Sequence, residues 1–219
     1  KETIRKKSDV EYKYKKQSGG HGQYGHVKMT FEPSGDMDTP YVFEQTVVGG
    51  AVPKNFFPAV EKGIAESVKK GPLAAYPVTG IKAVLYDGSY HPVDSSEMAF
   101  KVATQQAFKK GIMEAKPVLL EPIATLKVVV PEVYTGDVMG ELNKRRARVM
   151  GMNPTDNGYQ EIVADIPYLE LYGYNATLRS MTSGSGTFSY EFARYEQSPD
   201  DVAAKQIEER ASKLVEVEE

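Results

Sequence analysis

The strongest constraint on the fold lies between residues 124 and 195, where the apolar pattern changes period again and again. Ala124–Val130 is rich in β-branched residues and reads as a strand. Tyr134, Val138 and Leu142 recur every four residues and mark a helix. Arg148–Met152 and Gln160–Ile166 read as strands, joined through Thr155-Asp156-Asn157-Gly158, a strong turn signal. Leu169, Tyr172 and Ala176 mark a second helix, and Thr187–Tyr195 a last strand. The order βαββαβ in about 75 residues predicts a ferredoxin-like split βαβ unit.

The residues before it are organised differently. Thr3–Lys16 and Val27–Glu32 read as strands, with alternation at Tyr12/Tyr14 and Val27/Met29/Phe31. Between them, Ser18–His26 holds four glycines in nine residues, which predicts a long hairpin tip or an Ω-like loop. Tyr41–Val48 is a further strand. Pro53 and Pro58 bracket a helix start, and the stripe Phe57, Val60, Ile64, Val68 carries that helix to Lys70. Gly71-Pro72 stops it. Val78–Tyr86 reads as a buried strand and Asp87–Val93 as a loop. Asp94-Ser95-Ser96-Glu97 is a capping-box pattern opening a second helix that ends near Gly111. Lys116-Pro117 and Glu121-Pro122 predict a linker. Ser198 and Pro199 suit the N-cap and first position of a final helix, whose stripe Ala203, Ala204, Ile207, Ala211, Leu214 must dock on one domain or the other.

Composition removes several functions. The 219 residues include no cysteine, which excludes disulfides, thiolate metal sites and cysteine nucleophiles. No apolar run reaches the roughly 20 residues of a membrane span, and no leader pattern is present. The net charge of −3 averages two unlike ends. Residues 1–16 carry seven basic and three acidic side chains, and residues 200–219 three basic and seven acidic. The two ends can pair with each other or face different partners. The chain opens Lys1-Glu2-Thr3 without a methionine, which suggests a piece of a longer protein.

Catalytic constellations are weak. No phosphate-loop pattern G-x-x-x-x-G-K-[ST] exists. Three histidines, His21, His26 and His91, can hold zinc, but His21 and His26 sit in the glycine segment with no local scaffold and no carboxylate-rich surroundings. A hydrolase would need His91, Asp94 and Ser95 or Ser96, yet Asp94 and Ser95 are expected to cap the helix start. A binding role fits better. Gln23, Tyr24, His21 and His26 in one segment and Ser89, Tyr90 and His91 in another suit irregular RNA, with Arg5, Lys6, Lys7, Lys13, Lys15 and Lys16 nearby. Lys144, Arg145, Arg146 and Arg148 form a dense cluster suited to phosphate contact, or a solvated face.

The blocks SGGHGQYGHV, GPLAAYPV, GSYHPVDSSEMAFK, KPVLLEPI, YTGDVMGELNKRR and YGYNATLRSMTSG resemble, in order and spacing, the C-terminal part of elongation factor G. The resemblance implies an α+β chain of two domains. Residues 1–117 would form an elongated, ribosomal-protein-S5-like β-α-β arm resembling the fourth domain. Residues 118–197 would be the ferredoxin-like fifth, and helix 198–219 would pack back on the arm. It implies a cytoplasmic, monomeric, ribosome-binding part of a translational GTPase. No catalytic, cofactor or metal residues fall in this part; GTP and magnesium would sit upstream of Lys1.

The family's arm tip enters the decoding region beside transfer RNA and messenger RNA. Its two loops correspond to Ser18, Gly19, Gly20, His21, Gly22, Gln23, Tyr24, Gly25 and His26, and to Gly88, Ser89, Tyr90, His91, Pro92, Val93 and Asp94. His91 falls on the position modified in eukaryotic and archaeal relatives. The fifth domain contacts large-subunit ribosomal RNA and the stalk base, with Lys144, Arg145, Arg146, Arg148 and Arg179 as candidates. Three positions depart from the usual pattern: His21 for arginine, Pro92 for aspartate and Ser185 for arginine. A paralogue acting in recycling or ribosome protection, or a self-contained RNA-binding protein, therefore stands as an alternative.

Overall fold

The computed structural model describes residues 1–215, the side chain of Ser18 excepted; the last four positions expected in the C-terminal helix, 216–219, lie outside the described residues. The chain divides into two compact units. One comprises Lys1–Leu119 with the segment from Ser198 onward, the other Leu120–Gln197.

The first unit has two layers. Strands β2 (Ser8–Ser18), β3 (His21–Pro33), β5 (Ile81–Ser89) and β4 (Tyr41–Gln45) form a sheet in the order β2-β3-β5-β4. β2, β3 and β5 are antiparallel, whereas β4 runs parallel to β5. A parallel neighbour needs a crossover, and α1 (Phe57–Ser67) supplies it. α1 and α2 (Glu97–Glu114) cover one face of the sheet. Val27, Met29, Phe31, Ile81, Ala83 and Leu85 meet Val60, Ile64, Phe100 and Phe108 in the core. Each of these side chains larger than alanine stabilises the fold by about 2 kcal/mol on burial. Phe31 and Phe108 meet edge to face at 5.7 Å. β1 (Glu2–Ile4) instead pairs with the start of β6 (Pro117–Pro131).

Several expectations change. The strand expected over Thr3–Lys16 is two strands. Arg5 and Lys6 turn their N–H groups to the Ala115 carbonyl, which separates β1 from β2. β5 begins at Ile81 rather than Val78 and runs on to Ser89. α2 does not end at Gly111 but continues to Glu114. A Cβ at Gly111 would collide with the Phe31 ring, so this glycine permits close packing and is no terminator. The expected linker is part of β6, with Leu119 and Leu120 buried. Ser198 does not cap the last helix, α5 (Asp200–Glu209). Its N–H reaches the Leu119 carbonyl at 3.0 Å, and no side chain caps the helix. Ala204 and Ala211 of the expected stripe are exposed.

The second unit orders its strands β9-β6-β8-β7, all antiparallel, with β7 (Arg148–Pro154), β8 (Tyr159–Pro167) and β9 (Thr187–Gln197). α3 (Thr135–Lys144) follows β6 and α4 (Tyr174–Met181) follows β8. This is the expected βαββαβ arrangement. Leu126, Val128, Val130, Ile162 and Ala164 pack under Val138, Leu142, Tyr174 and Leu178. The second helix differs from the expected Leu169/Tyr172/Ala176 stripe. Tyr172 is 92% exposed, Gly173 turns the chain at φ 73°, and α4 starts only at Tyr174.

Candidate functional site

The glycine segment is a hairpin tip, the first of the two forms its composition predicts, but it is mostly strand and no Ω-like loop forms. β2 and β3 pair without interruption from Ser8↔Phe31 to Ser18↔His21. Only Gly19 and Gly20 remain as the turn, at φ 58° and 118°. Positive φ at both central residues is what a tight type I′ hairpin turn requires. The other two glycines have a different reason. A Cβ at Gly25 would lie 2.5 Å from the Ala99 carbonyl oxygen, and one at Gly22 the same distance from the Asp94 carboxylate. They let the hairpin lie flat against the segment that enters α2.

That segment is the second loop, and Tyr24 joins it to the first. The Tyr24 N–H donates to the Asp94 carbonyl at 2.9 Å, and the Ser95 hydroxyl donates to the Tyr24 carbonyl at 2.9 Å. The Tyr24 ring stands 6.3 Å from the His91 ring. The second loop folds around His91, whose Nδ1 accepts N–H groups from Val93 at 3.1 Å and Asp94 at 3.0 Å. The His91 N–H donates to Ser95 Oγ at 2.9 Å. Because Nδ1 serves as the acceptor, a neutral His91 carries its proton on Nε2. Tyr90, His91, Pro92 and Val93 are exposed, Val93 at 76%. A shallow cleft of about 340 Å³ opens beside them, lined by Gln17, Gly19, Gly20, His21, Gly22 and Asp94.

Ser96, not Asp94 or Ser95, caps α2, accepting the Ala99 N–H at 3.1 Å. Ser95 faces the His91 backbone rather than its ring, so no serine–histidine–aspartate relay forms there. Among the described residues, no group of three potential ligands could hold a metal ion. Glu11 does not stand out in the sequence, yet its carboxylate meets His26 Nε2 at 2.9 Å. Alternation on β2 carries the signal, since Glu11, Lys13 and Lys15 share the face opposite the half-buried Tyr12 and Tyr14.

The basic cluster of the second unit separates into two kinds. Arg145 donates to Glu141 Oε1 at 2.9 Å, the Glu170 and Tyr172 carbonyls at 2.6 and 3.0 Å, and Thr177 Oγ1 at 3.1 Å. Its guanidinium also lies 5.2 Å from the Tyr174 ring centre. Burial pushes the Tyr174 hydroxyl up to about 12. Arg146 holds Glu121 through two bonds of 2.9 and 3.0 Å and meets Glu170 at 3.2 Å. These contacts keep its guanidinium firmly charged. Both arginines are engaged within the unit. Among the described residues Arg148 pairs only with Asp165, at 3.4 Å, and stays 70% exposed. Lys144 and Arg179 are exposed, with no ion pair among the described residues.

Comparison with known proteins accords with this architecture. The family model for elongation factor G, domain IV, matches residues 1–116, and that for the elongation factor G C-terminus matches residues 118–206. The chain therefore belongs to the elongation factor G family, in its domain IV and C-terminal parts. It is 50% identical over 217 residues to an elongation factor G-like protein of Thermotoga maritima, covering 99% of this chain and 32% of that one. A crystal structure of a protein from Thermus thermophilus superposes with a TM-score of 0.82 at 44% identity, covering 96% of this chain and 31% of its own. The chain thus spans about a third of the length of these relatives.

Proposed function

We propose that this chain is the ribosome-binding portion of a translational GTPase. Its hairpin turn and His91 loop would enter the decoding region of the small subunit. The tip performs no bond chemistry. It stabilises the state in which transfer RNA and messenger RNA have advanced, and GTP hydrolysis with magnesium in upstream domains gives the direction. The second unit would contact ribosomal RNA of the large subunit and the stalk base, through Lys144, Arg148 and Arg179 rather than Arg145 and Arg146.

The observation that carries this reading is the locking of the two loops by Tyr24 and Ser95, with Tyr90, His91 and Val93 left pointing outward. A rigid, protruding shape is what differential binding needs. No helix among the described residues is long and apolar enough to cross a membrane, and we take the protein to act as a cytoplasmic monomer. A role in recycling or protection is favoured by one observation, the set His21, Pro92 and Ser185. Pro92 fixes φ in the second loop, and the other two lack the positive charge expected there. Ribosome pelleting of the full-length parent with a non-hydrolysable GTP analogue tests the main reading. Co-sedimentation is expected, and its absence at low salt would refute ribosome binding. Complementation in cells lacking the main factor separates translocation from the alternative.

A further inference from the structure

Four side chains on the helix-free face of the β2–β3–β5 sheet form one unbroken chain of hydrogen bonds. Glu11 Oε2 lies 2.9 Å from His26 Nε2, His26 Nδ1 lies 2.7 Å from Ser89 Oγ, and Ser89 Oγ lies 2.6 Å from Tyr24 Oη. Strand register assembles them: His26 stands opposite Ser89 of β5 and Lys13 of β2, and Tyr24 stands opposite Lys15. The chain runs from the middle of the sheet to the residue that joins the two tip loops.

One constraint fixes the direction of every bond. An ionised carboxylate only accepts, and the His26 contact holds Glu11 below its ordinary value. His26 Nε2 therefore carries the proton. In the neutral ring Nδ1 is then bare, so Ser89 must donate its single proton to it. The Ser89–Tyr24 contact is consequently donated by Tyr24, whose hydroxyl proton points inward.

We propose that His26 sets the polarity of the Tyr24 hydroxyl, and that protonating His26 turns this hydroxyl outward as a donor to a phosphate oxygen of bound RNA. The partner's identity rests on the ribosome-binding reading; the relay does not. One proton is taken from solvent at His26 Nδ1, and none is lost. Nδ1–H then donates to Ser89 Oγ, the Ser89 proton swings to Tyr24 Oη, and the Tyr24 proton turns to solvent. The exposed Lys13 and Lys15 flank that position across β2. The charged and titratable groups facing this relay are Asp9, Glu11, Lys13 and Lys15 of β2, Tyr24 and Lys28 of β3, Tyr86 and Asp87 of β5, and His91 of the second loop, whose ring stands 6.3 Å from that of Tyr24. Lys28 lies 4.0 Å from Glu11 and 3.8 Å from Asp87. Histidine is the residue type that changes charge near neutrality.

Nuclear magnetic resonance of the 219-residue chain tests the relay without any partner. In its neutral form the His26 ring should carry its proton on Nε2 alone. On acidification the Tyr24 Cζ resonance should move with the midpoint of His26. Ser89→Ala should abolish the Tyr24 response while His26 still titrates, and Ser89→Thr should restore it. A neutral His26 ring protonated on Nδ1, or a Tyr24 response that follows His26 and survives Ser89→Ala, overturns the relay; so does a titrating His26 with a silent Tyr24. Ribosome pelleting of the same chain between about pH 8 and about pH 6 reads the output. Acidification should raise wild-type affinity roughly fivefold more than that of Ser89→Ala, the worth of one net hydrogen bond. Equal pH dependence overturns the link to binding. Failure to bind at either pH overturns the RNA partner, leaving the relay to be decided by the spectra.

Discussion

At the scale of single residues, glycine and arginine each hold two unlike roles in this chain. Gly25 lies against a backbone carbonyl that cannot swing aside. Gly25→Ala should therefore lower stability by about 2 kcal/mol, read as a lower denaturation midpoint at unchanged slope. Gly140 is exposed on α3, with nothing within 4 Å of an added Cβ. Gly140→Ala should raise stability by about 0.7 kcal/mol in the same measurement, because alanine restricts the unfolded chain. The arginines divide similarly. Arg145→Ala removes a bolt between α3 and the start of α4 and should lower the melting temperature of the second unit. Arg148→Ala should change stability by less than about 0.5 kcal/mol and instead flatten the salt dependence of ribosome association. The reverse outcome for this pair would show Arg145 to be the ligand-facing residue. The sequence reveals four basic residues in one run but not their partners, because Glu170, Tyr172 and Thr177 lie 25 to 32 residues away.

At the scale of elements, the segment Gly71–Pro77 is held from two sides. The buried Glu2 carboxylate accepts N–H groups of Leu73, Ala74 and Tyr76 at 2.8 to 3.0 Å. On the other side Arg210 donates to the Ala74 and Ala75 carbonyls at 2.6 and 3.2 Å and stacks 3.7 Å from the Tyr76 ring centre. Gln206 of α5 accepts the Tyr76 hydroxyl at 2.9 Å. Polar contacts thus do much of the docking of α5, which has no fully buried residue. Arg210→Ala should speed hydrogen exchange in α5 and leave exchange in α2 unchanged. Burial pushes the Glu2 carboxyl above its ordinary 4.5, with the three N–H donors opposing it. The native state then holds this proton to higher pH than the unfolded chain does. The contribution is full below 4.5 and is lost as pH rises through the folded value. Denaturation at about pH 5 and about pH 7 should show this falling component in the wild type and not in Glu2→Gln.

At the scale of the molecule, the proposed function puts the two loops joined by Tyr24 and the nucleotide site in different stretches of the parent chain. In the full-length parent, His91→Ala should slow translocation while ribosome-stimulated GTP hydrolysis stays nearly intact. Rapid kinetics of both steps check this, and equal loss of both would contradict a tip that acts by shape. Much of this architecture is legible in the sequence, and the misreadings concern where elements begin and end: α2 and β6 run through glycine and proline signals that read as breaks, whereas the helical spacing before α4 begins too early. In the second unit, Leu169 and Tyr172 hold a helical spacing that predicts too early a start for the second helix. The chain instead breaks at Gly173 and buries Tyr174 and Leu178.

The sequence by itself determines the order of the main elements and the buried face of those with a strong pattern, because side-chain periodicity is a local property of helix and strand. It determines the βαββαβ unit, the alternation of β3 and the stripe of α1 without reference to anything distant. Only the tertiary structure decides which of four nearby glycines turn the chain and which permit contact. The same holds for which basic residues are consumed internally, and for the line joining Glu11, His26, Ser89 and Tyr24. Each of those depends on a partner brought close by strand pairing or helix packing, and no local pattern in the chain encodes that approach.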